Sequence, residues 1–253
     1  MYQSEVNQYF SEIILRPQSR TRSAISSFAS LPGDIIEPGK ENGAVIGEAV
    51  IGMTDRLSPQ NATDVMNCVS LAQQIADKRF QKETNLRGWT DEYYKALKMM
   101  GWNTINYARQ QYSPSATSFS MEKVALDIIR AAAGGAQEFV TIAEKALIAT
   151  DENGKALSLL ENNSASESYA TFQTLPCTET GGGTPSMILM SIDFKKAVKT
   201  RKVLFWTFQK TQVDIYRAAA KFELNVAHYA KQRNRLEEIL GKGADDYFAD
   251  IEL

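Results

Sequence analysis

Histidine and cysteine are nearly absent from this chain: 253 residues hold one histidine, His228, and two cysteines, Cys68 and Cys177. A zinc site draws three or four N, S or O ligands onto one metal. Here carboxylates would have to complete such a set, so no metal is expected. A Ser-His-Asp or Cys-His arrangement would have to use His228 itself. Two cysteines do not make a disulfide framework, which suits a reducing compartment. Long apolar runs are missing too, since none approaches the roughly 20 residues of a transmembrane helix. The opening Met1-Tyr2-Gln3-Ser4-Glu5 has neither the basic nor the apolar region of a Sec-type signal. The expectation is a soluble protein made in the cytoplasm and, if released, released by a specialised route. Charge of one sign is also lacking: 28 basic against 30 acidic residues leave a net charge of -2. Nucleic-acid binding normally leaves a basic stripe, so it is not expected. The short basic runs, Lys195-Lys196 and Lys199 to Lys202, read as the rim of a sheet. Together these absences exclude most catalytic and cofactor chemistry and point to shape, surface and partners.

What is present is an ordinary globular composition, 43% apolar and 23% charged. The chain is long enough to build a core without metal or disulfide. Leu31 to Met53 is punctuated by Pro32-Gly33, Pro38-Gly39, Gly43, Gly47 and Gly52, which read as turns. Within it, Gly43 to Gly52 is apolar apart from Glu48. Two readings remain open there, a buried loop or short strand and a segment that later meets a membrane. From Ser58-Pro59 onward a helical period takes over, with Val65, Cys68, Val69, Ala72, Ile75 and Ala76 on one face. A second helix is expected from an N-cap at Thr90 to a stop at Gly101, with Tyr93, Leu97 and Met100 inward. A third follows Ser120, on the stripe Met121, Val124, Ala125, Ile128 and Ala132, and breaks at Gly134-Gly135. A fourth covers Gln137 to Ala149.

After Asp151 the period shifts toward two. Asn153-Gly154 is a hairpin-turn signal. Met187 to Phe194 alternates, with Ile188, Met190, Ile192 and Phe194 on one face and Ser191 and Asp193 on the other. Val203 to Phe208 reads as a central strand covered on both faces. Val213 to Tyr216 and Lys221 to Leu224 read as two further strands, with Phe222 and Leu224 inward. Asn225 caps a closing helix on Val226, Tyr229, Leu236 and Leu240 that stops at Gly241. Helices first and strands second define an α+β protein: a helical bundle packed on a C-terminal antiparallel sheet, with a closing helix. The division expected is an irregular segment over 1–57, one domain over 58–243 and an acidic tail over 244–253.

The candidate sites are few. His228 follows the last N-cap and has no nucleophile or orienting group that sequence can place beside it, so it reads as structural. Gly181-Gly182-Gly183-Thr184 precedes a strand rather than a helix, which fits a hairpin connection and fails the phosphate-loop mechanism. Asp245-Asp246 reads as a solvated run. Cys68 lies on an apolar helix face and reads as core. Cys177 follows Pro176 and reads as the edge of a loop, the more accessible thiol, with no basic neighbour to lower its pKa. Trp89, Tyr93, Tyr94 and Trp102, like Phe205, Trp206 and Phe208, fit either core packing or an interfacial membrane surface.

The segment Trp89-Thr-Asp-Glu-Tyr93-Tyr-Lys-Ala-Leu97-Lys-Met-Met-Gly101-Trp102 resembles a signature of bacterial virulence or insecticidal factors of the Erwinia virulence factor type. Val203 to Phe208 and Asn225 to Gly241 are similar to that family's later strand and closing helix. The resemblance covers about Ser58 to Gly241 and rests on packing residues. It implies a role in persistence in an insect host and a fatty acyl group on a cysteine, which here would be Cys177 or Cys68. The first expectation is therefore a non-enzymatic, toxin-like virulence protein that meets a host membrane or host receptor, with self-association as a further candidate. An intracellular interaction or assembly protein without membrane activity is the first alternative. A cysteine- or carboxylate-based hydrolase is the second.

Overall fold

The computed structural model describes residues 2–11, 39–104, 109–164, 169–196, 205, 207–209, 213–240 and 248–251. In chain order the elements begin with α1 (Tyr2–Ser11), β1 (Asn42–Ile46), β2 (Ala49–Met53), α2 (Pro59–Arg79) and α3 (Lys82–Met99). Then come β3 (Trp102–Asn103), β4 (Gln110–Tyr112), β5 (Ser118–Ser120), α4 (Met121–Ala133), α5 (Gln137–Glu152) and α6 (Gly154–Ser164). The last are β6 (Tyr169–Glu179), β7 (Pro185–Lys196), β8 (Thr207–Gln209), β9 (Val213–Leu224), α7 (Val226–Ala230), α8 (Arg233–Leu240) and β10 (Phe248–Ile251).

The fold is α+β, with the helices in two layers that enclose one sheet. Its strand order is β10-β1-β2-β6-β7-β9-β3, with β4 also paired to β9. β5 and β8 form a separate two-stranded ribbon. Most neighbours are antiparallel, but β2 and β6 run parallel, with Ile51 opposite Leu175. Side chains alternate across a strand, and the two faces build two cores. One joins α1, α2, α3, α7 and α8 to the sheet through residues such as Phe10, Val69, Leu97, Leu175, Phe222 and Leu236. The other joins α4, α5 and α6 to the opposite face through Ile128, Phe139, Leu160, Phe172, Ile188 and Phe194. Every helical stripe residue from Val65 to Ala76 named above is buried, as are Tyr93, Leu97 and Met100.

Several expectations need correction, each for a local reason. The second helix begins at Lys82, not at Thr90. Its real cap lies inside it: Asn85 leaves helical geometry (φ -144°, ψ 62°), and its Oδ1 accepts the Gly88 N–H at 2.9 Å. Thr90, one turn further on, donates back to the Leu86 carbonyl. Asn153-Gly154 is no hairpin turn, because Asn153 Oδ1 accepts the N–H groups of Lys155 and Ala156, both at 3.1 Å, and so starts α6. An Asx side chain serves a turn or a helix start equally well. The two strands read at Val213 and Lys221 are one, β9, continuous through Ala218-Ala219-Ala220. Thr207–Gln209 pairs with β5 in the small ribbon and is no central strand, although Phe208 is buried. Val203, Leu204 and Trp206 lie outside the described residues, as do Gly241 and Asp245-Asp246. The segment 1–57 is not irregular throughout, since α1 and the β1–β2 hairpin lie in it. In the acidic tail, Phe248–Ile251 adds a strand to the outer edge of β1.

Candidate functional site

The two thiols sit deep inside the molecule. Cys68 on α2 and Cys177 on β6 both belong to the core under α2 and α3. Cys177 corrects the expectation of an accessible loop residue, since it lies between Met53 of β2 and Met187 of β7 and is fully buried. The reason is Pro176. It lacks an N–H, and the β6–β7 ladder passes over Leu175 and Pro176 without breaking the strand. The Cys177 thiol donates to the Leu175 carbonyl at 3.3 Å, across that gap. Burial pushes the Cys177 thiol well above the ordinary thiol range and that of Cys68 up to about 12. The Trp102 indole and the Tyr229 hydroxyl lie close enough to Cys68 to act on its titration, although neither Trp102 Nε1 nor Tyr229 Oη makes a hydrogen bond of normal geometry. Neither thiol is expected to react with a maleimide in the native protein, and both are expected to react in denaturant. Rapid native labelling of Cys177 would show that the sheet opens locally.

His228 is held by contacts with its own helix and with the end of α3. Its backbone N–H is accepted by the Asn225 cap at 3.0 Å, and Nε2 lies 3.3 Å from the Met99 carbonyl oxygen and 2.7 Å from Gln232 Nε2. Gly181-Gly182-Gly183 forms the β6–β7 turn, closed by the Thr180 N–H on Thr184 O and the Gly183 N–H on Thr180 O, both at 2.9 Å. The aromatic cluster is interior: Trp89, Tyr93, Trp102 and Phe208 are at most 1% exposed, and Trp89 stacks on Tyr93 at 5.5 Å.

Sequence reasoning missed the buried charge. Asp64 on α2 is fully buried and takes both oxygens to Arg233 of α8, at 2.9 Å and 2.6 Å. Arg109 clamps Asp193 of β7 while its guanidinium stacks 3.8 Å above the Tyr216 ring. Burial outweighs that guanidinium and keeps the Asp193 carboxyl above the usual carboxylate range. Glu48, in the β1–β2 turn, pairs with Lys82 of α3 at 2.6 Å. The available signal was a carboxylate inside an apolar run at Glu48 and an acidic position on the strand at Asp193. Their partners are distant in sequence.

The two faces of the sheet carry different residues. Toward α2 and α3 it presents Gln173, Ser191 and Asp193 among Leu175, Leu189 and Phe222. Toward α4 and α5 it presents Val45, Val50, Phe172, Ile188, Ile192 and Phe194. Thr174 interrupts that second face, as do Arg217 and Lys221 on β9 near the edge. The layer over it, α4 to α6, is contiguous in the chain. Its first corner is Gly134-Gly135, both at positive φ (57° and 96°) with open space around them. It packs tightly on the sheet at Gly52, where an added Cβ would lie 2.7 Å from the Ile142 carbonyl oxygen.

The molecule is thus a three-layer α+β protein with a hydrophobic core on each face of its sheet, and in overall shape it weakly resembles virulence-factor and toxin structures. The Evf virulence factor matches over 83% of this chain and 86% of its own at 14% identity, with a TM-score of 0.44. A delta-endotoxin matches over 82% and 89% at 13% identity, with a TM-score of 0.43. The activated Cyt2Ba monomer from Bacillus thuringiensis subsp. israelensis matches over 52% and 78% at 13% identity, with a TM-score of 0.34. No family model and no curated protein matches the chain.

Proposed function

We propose that this is a toxin-like protein that acts on a host membrane by lipid contact rather than by catalysis. The observation that carries the reading is the two-sided sheet. Strands β6, β7 and β9 are 11, 12 and 12 residues long, and about 9–11 residues of tilted strand cross a bilayer. A strand that does so turns one apolar face to lipid and a polar face to a lumen. The face under α4 to α6 supplies the apolar surface through Val50, Phe172, Ile188, Ile192 and Phe194, and the opposite face carries the buried polar Gln173, Ser191 and Asp193 among apolar residues. No helix among the described residues is long and apolar enough to cross a membrane. In the stored form both faces are covered, and lipid contact requires the contiguous α4–α6 layer to leave.

The test is dye release from vesicles of mixed zwitterionic and anionic phospholipid. Micromolar protein is expected to release the dye, and a variant that loosens α5, Gly52→Ala, is expected to release it faster. No release by either protein, with no toxicity to insect gut cells, would reject the reading in favour of an interaction protein without membrane activity. A fatty acyl group on Cys177 or Cys68 is a separate matter. It would have to lie in the closed core under α2 and α3, and the intact mass of protein from its own host, before and after hydroxylamine, reads it directly.

A further inference from the structure

The β1–β2 turn carries a buried carboxyl group whose second oxygen has no partner. Glu48 is 1% exposed; its Oε2 accepts from Lys82 Nζ at 2.6 Å, and its Oε1 is unpaired. Two more buried acceptors without partners belong to residues hydrogen-bonded at or beside the same turn. Gln73 of α2 donates its Nε2 to the Ile46 carbonyl at 3.0 Å and leaves Oε1 free. Gln173 of β6 donates its backbone N–H to the Glu48 carbonyl at 2.9 Å, and its side-chain Oε1 is also free. Three buried oxygens that can only accept are costly to leave unpaired. A hydrogen on Glu48 Oε1 removes the cost of burying that second oxygen as part of an ionised carboxylate. Lys82 is already committed. It lies 3.4 Å from Asp77 Oδ1 as well as on Glu48, and its ammonium sits 4.3 Å above the Trp89 ring, whose Nε1 donates to Asp77 at 2.7 Å.

We propose that Glu48 is an internal pH sensor: it holds a proton on Oε1 in the folded protein below neutral pH, and releasing that proton to water weakens the grip of the α2–α3 layer on the β1–β2 turn. The titratable groups facing it among the described residues are Lys82 and Tyr93 of α3 and Asp77 of α2. Desolvation is the largest influence and pushes the Glu48 carboxyl up to about 7, against the pull of Lys82. Desolvation opposes the charge on Lys82, but its contacts with Glu48 and Asp77 hold the ammonium above its ordinary value. A carboxyl raised in the folded state favours folding through proton uptake. That contribution is complete below the unfolded value, near pH 4.5, and is lost as the pH rises through about 7. The device thus loosens toward alkaline pH. It is independent of any action on membranes.

Urea unfolding between pH 5 and pH 8 tests it on the full chain. Relative to Glu48→Gln, the folding equilibrium constant of the wild type is expected to fall roughly a hundredfold over that range, at about tenfold for each pH unit that separates the folded from the unfolded carboxyl. Lys82→Met removes the opposing cation and is expected to move the step to higher pH. Parallel profiles for wild type and Glu48→Gln, or a step moved downward by Lys82→Met, would overturn the proposal. Infrared spectra of wild-type protein with ¹³C-labelled glutamate give a reading that needs no variant. A protonated-carboxyl band present at pH 6 and gone at pH 8 is expected, and its absence at pH 6 counts against the sensor.

Discussion

Replacing Gly52 with valine is expected to lower the melting temperature by roughly 5–10 °C. A Cβ at this position would lie 2.7 Å from the Ile142 carbonyl oxygen and 3.1 Å from the Ala146 Cβ, both on α5. The nearest atom is main chain, so no rotamer change relieves the clash and α5 itself must shift. Overpacking of this kind costs about 1–3 kcal/mol for small additions, occasionally more, and for a chain of this size each kcal/mol is worth about 2–4 °C. Gly52→Ala should fall at the lower end. Thermal unfolding followed by circular dichroism checks both. An unchanged melting temperature for valine would mean that α5 does not rest on β2 at this point.

Arg233→Ala is expected to destabilise the protein by about 3–5 kcal/mol, the usual cost of leaving a buried charge without its partner. Asp64 is fully buried, and besides its bonds to Arg233 it accepts from Gln60 Nε2 at 3.1 Å. Arg233 is 24% exposed, so the loss falls on Asp64 and not on the arginine's own burial. Combining Asp64→Leu with Arg233→Met is expected to recover most of the stability, because matched apolar pairs often equal or exceed a buried ion pair. A double-mutant cycle in urea separates the two outcomes. If Arg233→Ala costs no more than about 1 kcal/mol, α8 is not fastened to α2 through this pair.

The helices were readable where one face is apolar at a regular period. Val65, Cys68, Val69, Ala72, Ile75 and Ala76 are buried as their spacing predicts, as are Met121, Val124, Ala125 and Ile128, while Ala132 is half-buried, and Gly101 and Gly134 end helices at positive φ. The α+β class and the alternation of β7 were readable for the same reason. The small polar residues were ambiguous. Asn85 and Asn153 cap helices where Thr90 and a hairpin were expected, because one Asx side chain satisfies either backbone geometry. The two-layer arrangement was not readable. It depends on the parallel β2–β6 pair, which joins residues more than 100 positions apart. Cys177 was misplaced because proline signals a loop unless a central ladder happens to skip it. The buried pairs Glu48–Lys82, Asp64–Arg233 and Asp193–Arg109 were invisible because each needs a partner from another element.

Lipid contact through one particular sheet face is the central claim, and depth-dependent quenching by brominated phospholipids reads it directly. Phe172→Trp places an indole on the face under α4 to α6, and Leu189→Trp places one on the face under α2 and α3. Each is compared with wild type, which carries three tryptophans. After incubation with vesicles, acyl-chain bromines are expected to quench the indole at position 172 strongly and that at 189 little. Equal quenching at both positions, or none at 172 while the vesicles leak, would contradict insertion through the α4–α6 face.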